Sequence, residues 1–201
     1  MKIIGITGGV GAGKSHILDY IETHYKARII KTDEAAELLR TPGHACYDKI
    51  VAILGTEILK EDGTIDKNKM AQAIFTDPKK LIQINQVIHP GVNQYVAEEI
   101  EKERNKGEKE YFFVESALLI ENHYDEICDQ LWYISTKESV RIQRLEENRG
   151  YSKEKIADIM KHQLSEEGFL KHCSVVVDNN KGKEDVYEQI QALLGKPVES
   201  E

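Results

Sequence analysis

Short apolar segments alternate along the chain with longer segments in which apolar residues recur at helical spacing. The apolar segments predict five buried strands: KIIGIT (2–7), ARII (27–30), YFFVES (111–116), LWYIS (131–135) and SVVVDN (174–179). Residues 14–25 and 184–195 are typical of the amphipathic helices between and after them. This alternation predicts a three-layer α/β fold, with a five-stranded parallel sheet covered by helices on both faces.

The second and third predicted strands are separated by about 80 residues, far more than one crossover helix requires. This interval predicts several helices, interrupted at Pro42-Gly43, in EDGTID (61–66), and at Pro78 and Pro90. We expect residues 1–201 to form a single domain, with a frayed end in KPVESE. Its predicted parts are a core of about 1–34, 109–135 and 171–195, a helical substrate-binding insertion of about 35–108, and a helical lid of about 136–170.

Composition narrows the class of protein. The net charge of −8, from 27 basic and 35 acidic residues, argues against nucleic-acid and anionic-membrane partners. The three scattered cysteines are expected to be free thiols in a reducing compartment. The first apolar stretch is too short for a signal peptide, and no run reaches the roughly 20 apolar residues of a membrane span. We expect a cytoplasmic protein. A monomer is the expected state, and an oligomer is the alternative.

The segment GGVGAGKS (8–15) matches G-x-x-x-x-G-K-[ST] and lies between a predicted strand and a predicted helix. Glycines let successive backbone N–H groups surround a phosphate, Lys14 reaches the β and γ phosphates, and the Ser15 hydroxyl ligates Mg²⁺. The motif predicts a P-loop NTPase fold that binds a nucleoside triphosphate. The residues predicted to contact the phosphates are Gly9, Val10, Gly11, Ala12, Gly13, Lys14, Ser15 and His16.

Two carboxylates follow predicted strands. A kinase needs a carboxylate that accepts the proton of the incoming hydroxyl, and Asp33 comes just after the second strand. Asp33 is equally suited to be the N-cap of a helix starting near Glu34, and the two interpretations are compatible. Glu115 ends the third strand, where a carboxylate can hold Mg²⁺ through water; the alternative is an exposed acid at a strand end.

Arg141 and Arg144 are three residues apart, so they share a helix face. That face either clamps phosphates from a movable lid or is a solvated surface with ion pairs. Arg149 follows on the same helix. His89 reads as a capping or packing residue between two helices, and Gln163 by itself as a surface residue.

Other P-loop classes fit less well. A signalling GTPase requires N-K-x-D, and VDNNKG (177–182) has no Asp at the required position. Remodelling ATPases are usually larger. The size, the helical insertion and Asp33 favour a small-molecule kinase.

Over nearly its whole length the chain resembles dephospho-CoA kinases. The resemblance depends on the order and spacing of GITGGVGAGKS (5–15), Asp33, LLRTPG (38–43), DGTIDKNKMAQAIF (62–75), IHP (88–90), ALLIE (117–121), RIQRLEENRGYSKEKI (141–156), Gln163 and VVVDNNKG (175–182). Beyond the P-loop, no one of these segments is decisive.

This resemblance implies that ATP phosphorylates the ribose 3′-hydroxyl of dephospho-CoA, giving CoA and ADP in the last step of CoA synthesis. It implies that Asp33 is the general base, while Lys14, Mg²⁺ on Ser15 and Arg144 neutralise the transferring group. By the same resemblance, acceptor binding is assigned to His89, Leu118, Arg141, Arg149 and Gln163, and the adenine region to Asn179.

The chain departs from the family pattern at three positions. Lys31 replaces the first acid of Asp-x-Asp, Glu37 replaces an arginine, and Ala117 replaces a proline. These departures leave two alternatives open: a P-loop kinase with a nucleoside, nucleotide or sugar acceptor, and a nucleotide-binding regulatory module that has lost transfer.

Overall fold

The computed structural model describes residues 1–197, so most of the predicted frayed end, KPVESE, lies outside the described residues. The chain divides into two compact units. One comprises Met1–Ile29 and the chain from Glu103 onward, and the other comprises Ile30–Lys102. Among the helices of the described chain, none has the length and apolar character needed to cross a membrane.

All five predicted strands are present, with ends within one residue of the sequence pattern. They are β1 (Lys2–Thr7), β2 (Ala27–Lys31), β3 (Tyr111–Glu115), β4 (Gln130–Ser135) and β5 (Val175–Asp178). They form one sheet in the order β2-β3-β1-β4-β5. β1 pairs in parallel with β3 and with β4, and β4 pairs in parallel with β5. The predicted five-stranded parallel sheet is therefore confirmed.

Helices connect the strands. In chain order they are α1 (Lys14–His24), α2 (Thr32–Leu39), α3 (Tyr47–Leu54), α4 (Lys67–Phe75), α5 (Pro78–Lys106), α6 (Glu138–Arg149), α7 (Lys153–Lys161), α8 (Glu166–His172) and α9 (Lys183–Leu194). Short 3-10 turns lie at Thr56–Ile58 and Tyr124–Glu126.

The core of the first unit explains why its strands are almost wholly apolar. Ile4 and Ile6 of β1 and Trp132 of β4 are inaccessible to solvent, and they cluster with Ile21 of α1 and Ile190 of α9. A strand covered on both faces has no polar side, and burying each such side chain contributes about 1.5–3 kcal/mol. The sheet is consequently a firm support for the loop that follows β1.

Helix α5 corrects one sequence expectation, because it runs through Pro90 instead of ending there. A proline inside a helix removes one backbone hydrogen bond and usually bends or breaks the helix. Here Ile84, Val92, Val96 and Ile100 are all buried, and their spacing in multiples of four continues across the proline. Burial of this single stripe outweighs the lost hydrogen bond, and helix α5 continues to Lys106.

Candidate active site

The loop of residues 8–13 joins β1 to α1, and its backbone conformation requires glycine at three points. Gly8 has φ of 148°, Gly11 has φ of 82° and Gly13 has φ of 90°, values that L residues with a side chain rarely adopt. Gly13 is also the N-cap of α1 and supplies no side-chain hydrogen bond to it. The first N–H groups of α1 therefore remain available to an anion, which the helix dipole also favours.

Lys14 folds back over the loop. Its Nζ donates a hydrogen bond to the Gly8 carbonyl at 2.8 Å and lies 3.4 Å from Glu115 Oε1. The Lys14 and Glu115 side chains are only 12% and 16% exposed, so the alternative of an exposed acid at the end of β3 is wrong. The ammonium group thus lies at the first residue of the loop, beside a carboxylate from the neighbouring strand.

Three donors converge on the carbonyl oxygen of Ala12. Asn179 Nδ2 donates at 2.7 Å, Thr136 Oγ1 at 3.0 Å and Arg144 Nη1 at 3.4 Å. Arg144 Nη2 also donates to the Asn179 carbonyl at 3.3 Å. These bonds hold the peptide between Ala12 and Gly13 in one orientation, and they bring Arg144 and Asn179 together against the loop.

A second set of contacts lies nearer the start of the loop. Gln163 Oε1 accepts hydrogen bonds from the Val10 N–H and from Arg141 Nη1, both at 3.3 Å. A Cβ atom placed on Gly9 would lie 1.5 Å from Arg141 Nη1, so the guanidinium occupies the space that any other residue would need. Gln163 is therefore not a plain surface residue. The residues around Gln163 in the sequence give no signal of this contact, because no local pattern determines where the segment after α7 lies in the fold.

Other predicted residues of this unit have different surroundings. His16 is exposed, and its Nε2 lies at hydrogen-bonding distance, 2.9 Å, from Tyr187 OH. This contact joins α1 to α9. Leu118 is 43% exposed, and its N–H donates to Ser116 Oγ at 3.2 Å. Arg149 is exposed in the last turn of α6. Among the contacts found within the described chain, none joins the Leu118 or Arg149 side chain to the loop.

In the second unit, α2 begins at Thr32 and its N-cap is Lys31, so the proposed capping role of Asp33 is wrong. The chain turns helical immediately after β2, which leaves Asp33 exposed as the second residue of α2. An acid in a first helical turn is favoured by the helix dipole. Lys31 pairs with Glu34 at 3.2 Å.

Two further features of the second unit concern predicted positions. Glu37 is paired with Lys67, and the hydrogen bond from Lys67 lowers the pKa of the Glu37 carboxyl. Glu37 and Lys67 line a cleft of about 350 Å³ with Arg40, Lys60 and Asp66. His89 is partly buried in the interior of α5, not at a junction between helices as expected.

The first unit thus combines open backbone donors, Lys14 and two arginines around one loop, which suits the charge of a polyphosphate. The Ser15 hydroxyl and the Glu115 carboxylate are oxygen donors of the kind that Mg²⁺ prefers. Within residues 1–197, no group of three or more His, Cys, Asp or Glu residues is placed to hold a metal. The available donors fit an ion that takes most of its ligands from phosphates and water.

A parallel sheet, a glycine-rich loop after its central strand and a Lys-Ser helix start define the class: this is a P-loop protein of the α/β type. Comparison with known proteins narrows the class. A family model described as dephospho-CoA kinase matches residues 2–185. The chain belongs to the dephospho-CoA kinase family, which confirms the resemblance found in its sequence.

Individual relatives agree with this assignment. Dephospho-CoA kinase of Carboxydothermus hydrogenoformans is 32% identical, over 98% of this chain and 94% of its own. The crystal structure of TT1252 from Thermus thermophilus has a TM-score of 0.79 and 25% identity, covering 96% of each chain. Dephospho-CoA kinase from Campylobacter jejuni, at 19% identity, shares the fold with a TM-score of 0.71, over 96% of this chain and 98% of its own.

Proposed function

We propose that this protein transfers the γ-phosphoryl group of ATP to the ribose 3′-hydroxyl of dephospho-CoA. The new bond joins the 3′-oxygen to phosphorus, the bond to ADP breaks, and the hydroxyl proton passes to a carboxylate. The observation that carries this proposal is the complete phosphate loop with Lys14 held at 2.8 Å from its first carbonyl, in a chain of this family.

At the nucleotide end, the proposal assigns the loop N–H groups, Lys14 and Arg144 to the phosphates of ATP. Mg²⁺, when bound, neutralises phosphate charge, with Ser15 as a ligand and Glu115 acting through water. Asn179 is assigned to the adenine region. Its hydrogen bond to Ala12 joins the segment after β5 to the phosphate loop, which supports a position of this segment beside the nucleotide.

At the acceptor end, we assign Asp33 as the general base. Asp33 is an exposed carboxylate in the first turn after β2, and functional residues of parallel sheets gather beyond the carboxyl ends of the strands. The insertion of about 35–108 is assigned to acceptor binding and the segment of about 136–170 to a lid. His89, Leu118 and Arg149 remain proposed acceptor contacts. Free thiols at all three cysteines favour a cytoplasmic location.

The acceptor is tested by measuring ADP release with dephospho-CoA, AMP, CMP and gluconate under the same conditions. We expect dephospho-CoA to give the highest kcat/KM. A rate as high with another acceptor would assign the protein to a different small-molecule kinase. That alternative matters because Lys31, Glu37 and Ala117 depart from the family pattern.

Asp33→Asn tests the general base. We expect kcat to fall by about 100-fold, a typical loss when a proton acceptor is removed, with ATP affinity unchanged. The matched control is Glu34→Gln, which removes the next carboxylate of the same exposed turn. If Asp33→Asn keeps kcat within about threefold of the unmodified protein, the assignment of Asp33 fails.

A further inference from the structure

We infer that Gln163 is a positioning residue that holds the Arg141 guanidinium at the end of the loop where the transferred phosphoryl group binds. This inference rests on the proposed function and deepens it. It gives different tasks to Arg141 and Arg144, two arginines of α6 that are three residues apart in the sequence.

Lys14 marks which end of the loop receives the terminal phosphate. In a P-loop the lysine side chain reaches the β and γ phosphates, whereas the backbone N–H groups surround the α and β phosphates. The Lys14 ammonium lies at the Gly8 carbonyl, and the Arg141 guanidinium lies over Gly9, the next residue. Arg144 instead contacts Ala12, next to the start of α1. Arg141 is thus the arginine at the terminal-phosphate end.

Gln163 controls where the Arg141 guanidinium lies. One carboxamide oxygen accepts hydrogen bonds from both the Val10 N–H and Arg141 Nη1, so the side chain ties the arginine to a fixed backbone atom. A neutral acceptor positions the cation without cancelling its charge. A carboxylate at the same place would form an ion pair and compete with phosphate.

Arg141 retains hydrogen-bonding capacity for a ligand. Its Nε is buried and has no hydrogen-bond partner among the described residues. A buried charged donor without a partner is costly, and native proteins rarely keep one unless it has a function. A phosphate oxygen at the start of the loop would supply the missing acceptor.

The test uses the full chain and compares ATP with ADP in binding titrations, because only ATP carries the γ phosphate. We expect Arg141→Met to weaken ATP binding about tenfold and to leave ADP binding unchanged, the typical effect of losing one charged hydrogen bond. Gln163→Met keeps the side-chain volume but removes the shared acceptor. It should weaken ATP binding severalfold, and add nothing in the Arg141→Met background.

The matched control is Gln143→Met, at an exposed glutamine of α6 that bonds only to Glu147 in the described chain. Additive losses in the double variant, or equal losses for ATP and ADP, would overturn the positioning role. An unchanged ATP affinity in Gln163→Met would also overturn it. These titrations need no acceptor. Failure of the unmodified protein to phosphorylate dephospho-CoA would therefore count against the proposed function alone.

Discussion

Gly9 has no side chain, and the space above it is occupied by another residue of the site. Its φ is not in the left-handed region, so the backbone there would accept alanine. A Cβ atom there would meet the Arg141 guanidinium, the far end of a flexible side chain, at 1.5 Å. The glycine at this motif position therefore leaves room for a cation above the loop, and the turn itself does not require it.

Gly9→Ala should displace Arg141 and weaken ATP binding about tenfold, comparable to losing a charged hydrogen bond, while the melting temperature changes little. Isothermal titration and thermal unfolding measure the two effects. Gly182→Ala is the control, because φ there is −77° and the new Cβ would meet only the flexible end of Glu184. Equal changes in ATP affinity and melting temperature for both substitutions would contradict a specific role of Gly9 in holding Arg141 above the loop.

Lys14→Ala removes the ammonium group that lies at the Gly8 carbonyl. We expect ATP affinity and kcat both to fall, because the phosphate loop loses its own cation. A binding titration and the ADP-release assay check this. Retained ATP affinity would mean that the backbone donors and the arginines suffice for binding.

Among the elements, α5 packs closely against Cys46, the N-cap residue of α3. A Cβ on Gly91 would lie 2.5 Å from Cys46 Sγ, and that thiol donates to the Val87 carbonyl at 3.6 Å. Alanine in a helix interior is usually about 1 kcal/mol more stable than glycine. At this position the contact with Cys46 should make alanine less stable than glycine.

We expect Gly91→Ala to lower the free energy of unfolding by about 1–3 kcal/mol, as overpacked cores do. In a Cys46→Ala background the same substitution should be neutral or stabilising. Urea unfolding of the four proteins in this cycle measures the difference. A loss of the same size in both backgrounds would remove the thiol from the explanation.

At the scale of the whole molecule, several buried acids bind their protons more tightly in the fold. Burial raises the pKa of Cys128 from 9.0 to about 12 and that of Tyr124 from 10.0 to about 12. Between these values the native state holds protons that the unfolded chain releases. The stability that these two groups contribute is therefore fully present below about pH 9 and is lost as the pH rises towards 12.

We expect the free energy of unfolding to decrease steadily from pH 8.5 to 10.5, by up to about 1.4 kcal/mol per pH unit for each such group. Denaturant titrations at several pH values measure the slope. Cys128→Ala should reduce the slope over this interval whatever its effect at neutral pH, and the remaining slope is expected from Cys173, because burial raises its pKa from 9.0 to about 11. An unchanged slope would show that the thiol titrates alike in both states.

Sequence patterns predicted the strands and the phosphate loop because those depend on local features, and they predicted the family because its motifs recur in order along nearly the whole chain. Apolar runs such as YFFV form buried strands wherever both faces are covered, and a glycine-rich loop needs its own residue types. The break expected at Pro90 was wrong because a buried stripe along α5 outweighs one lost hydrogen bond. Of the two interpretations of Asp33 that the sequence left open, the capping role was wrong because α2 starts earlier, at Thr32.

The sequence by itself determined the parallel α/β class, the P-loop and membership of the dephospho-CoA kinase family, since each is encoded in residue types and in their order along the chain. Only the tertiary structure decided that Gln163, from the segment after α7, ties Arg141 of α6 to Val10, and that Arg144 lies at Ala12 instead. At the phosphate loop, residues more than 100 positions apart come into contact because the sheet and its helices fold back onto it. No local sequence pattern predicts these contacts.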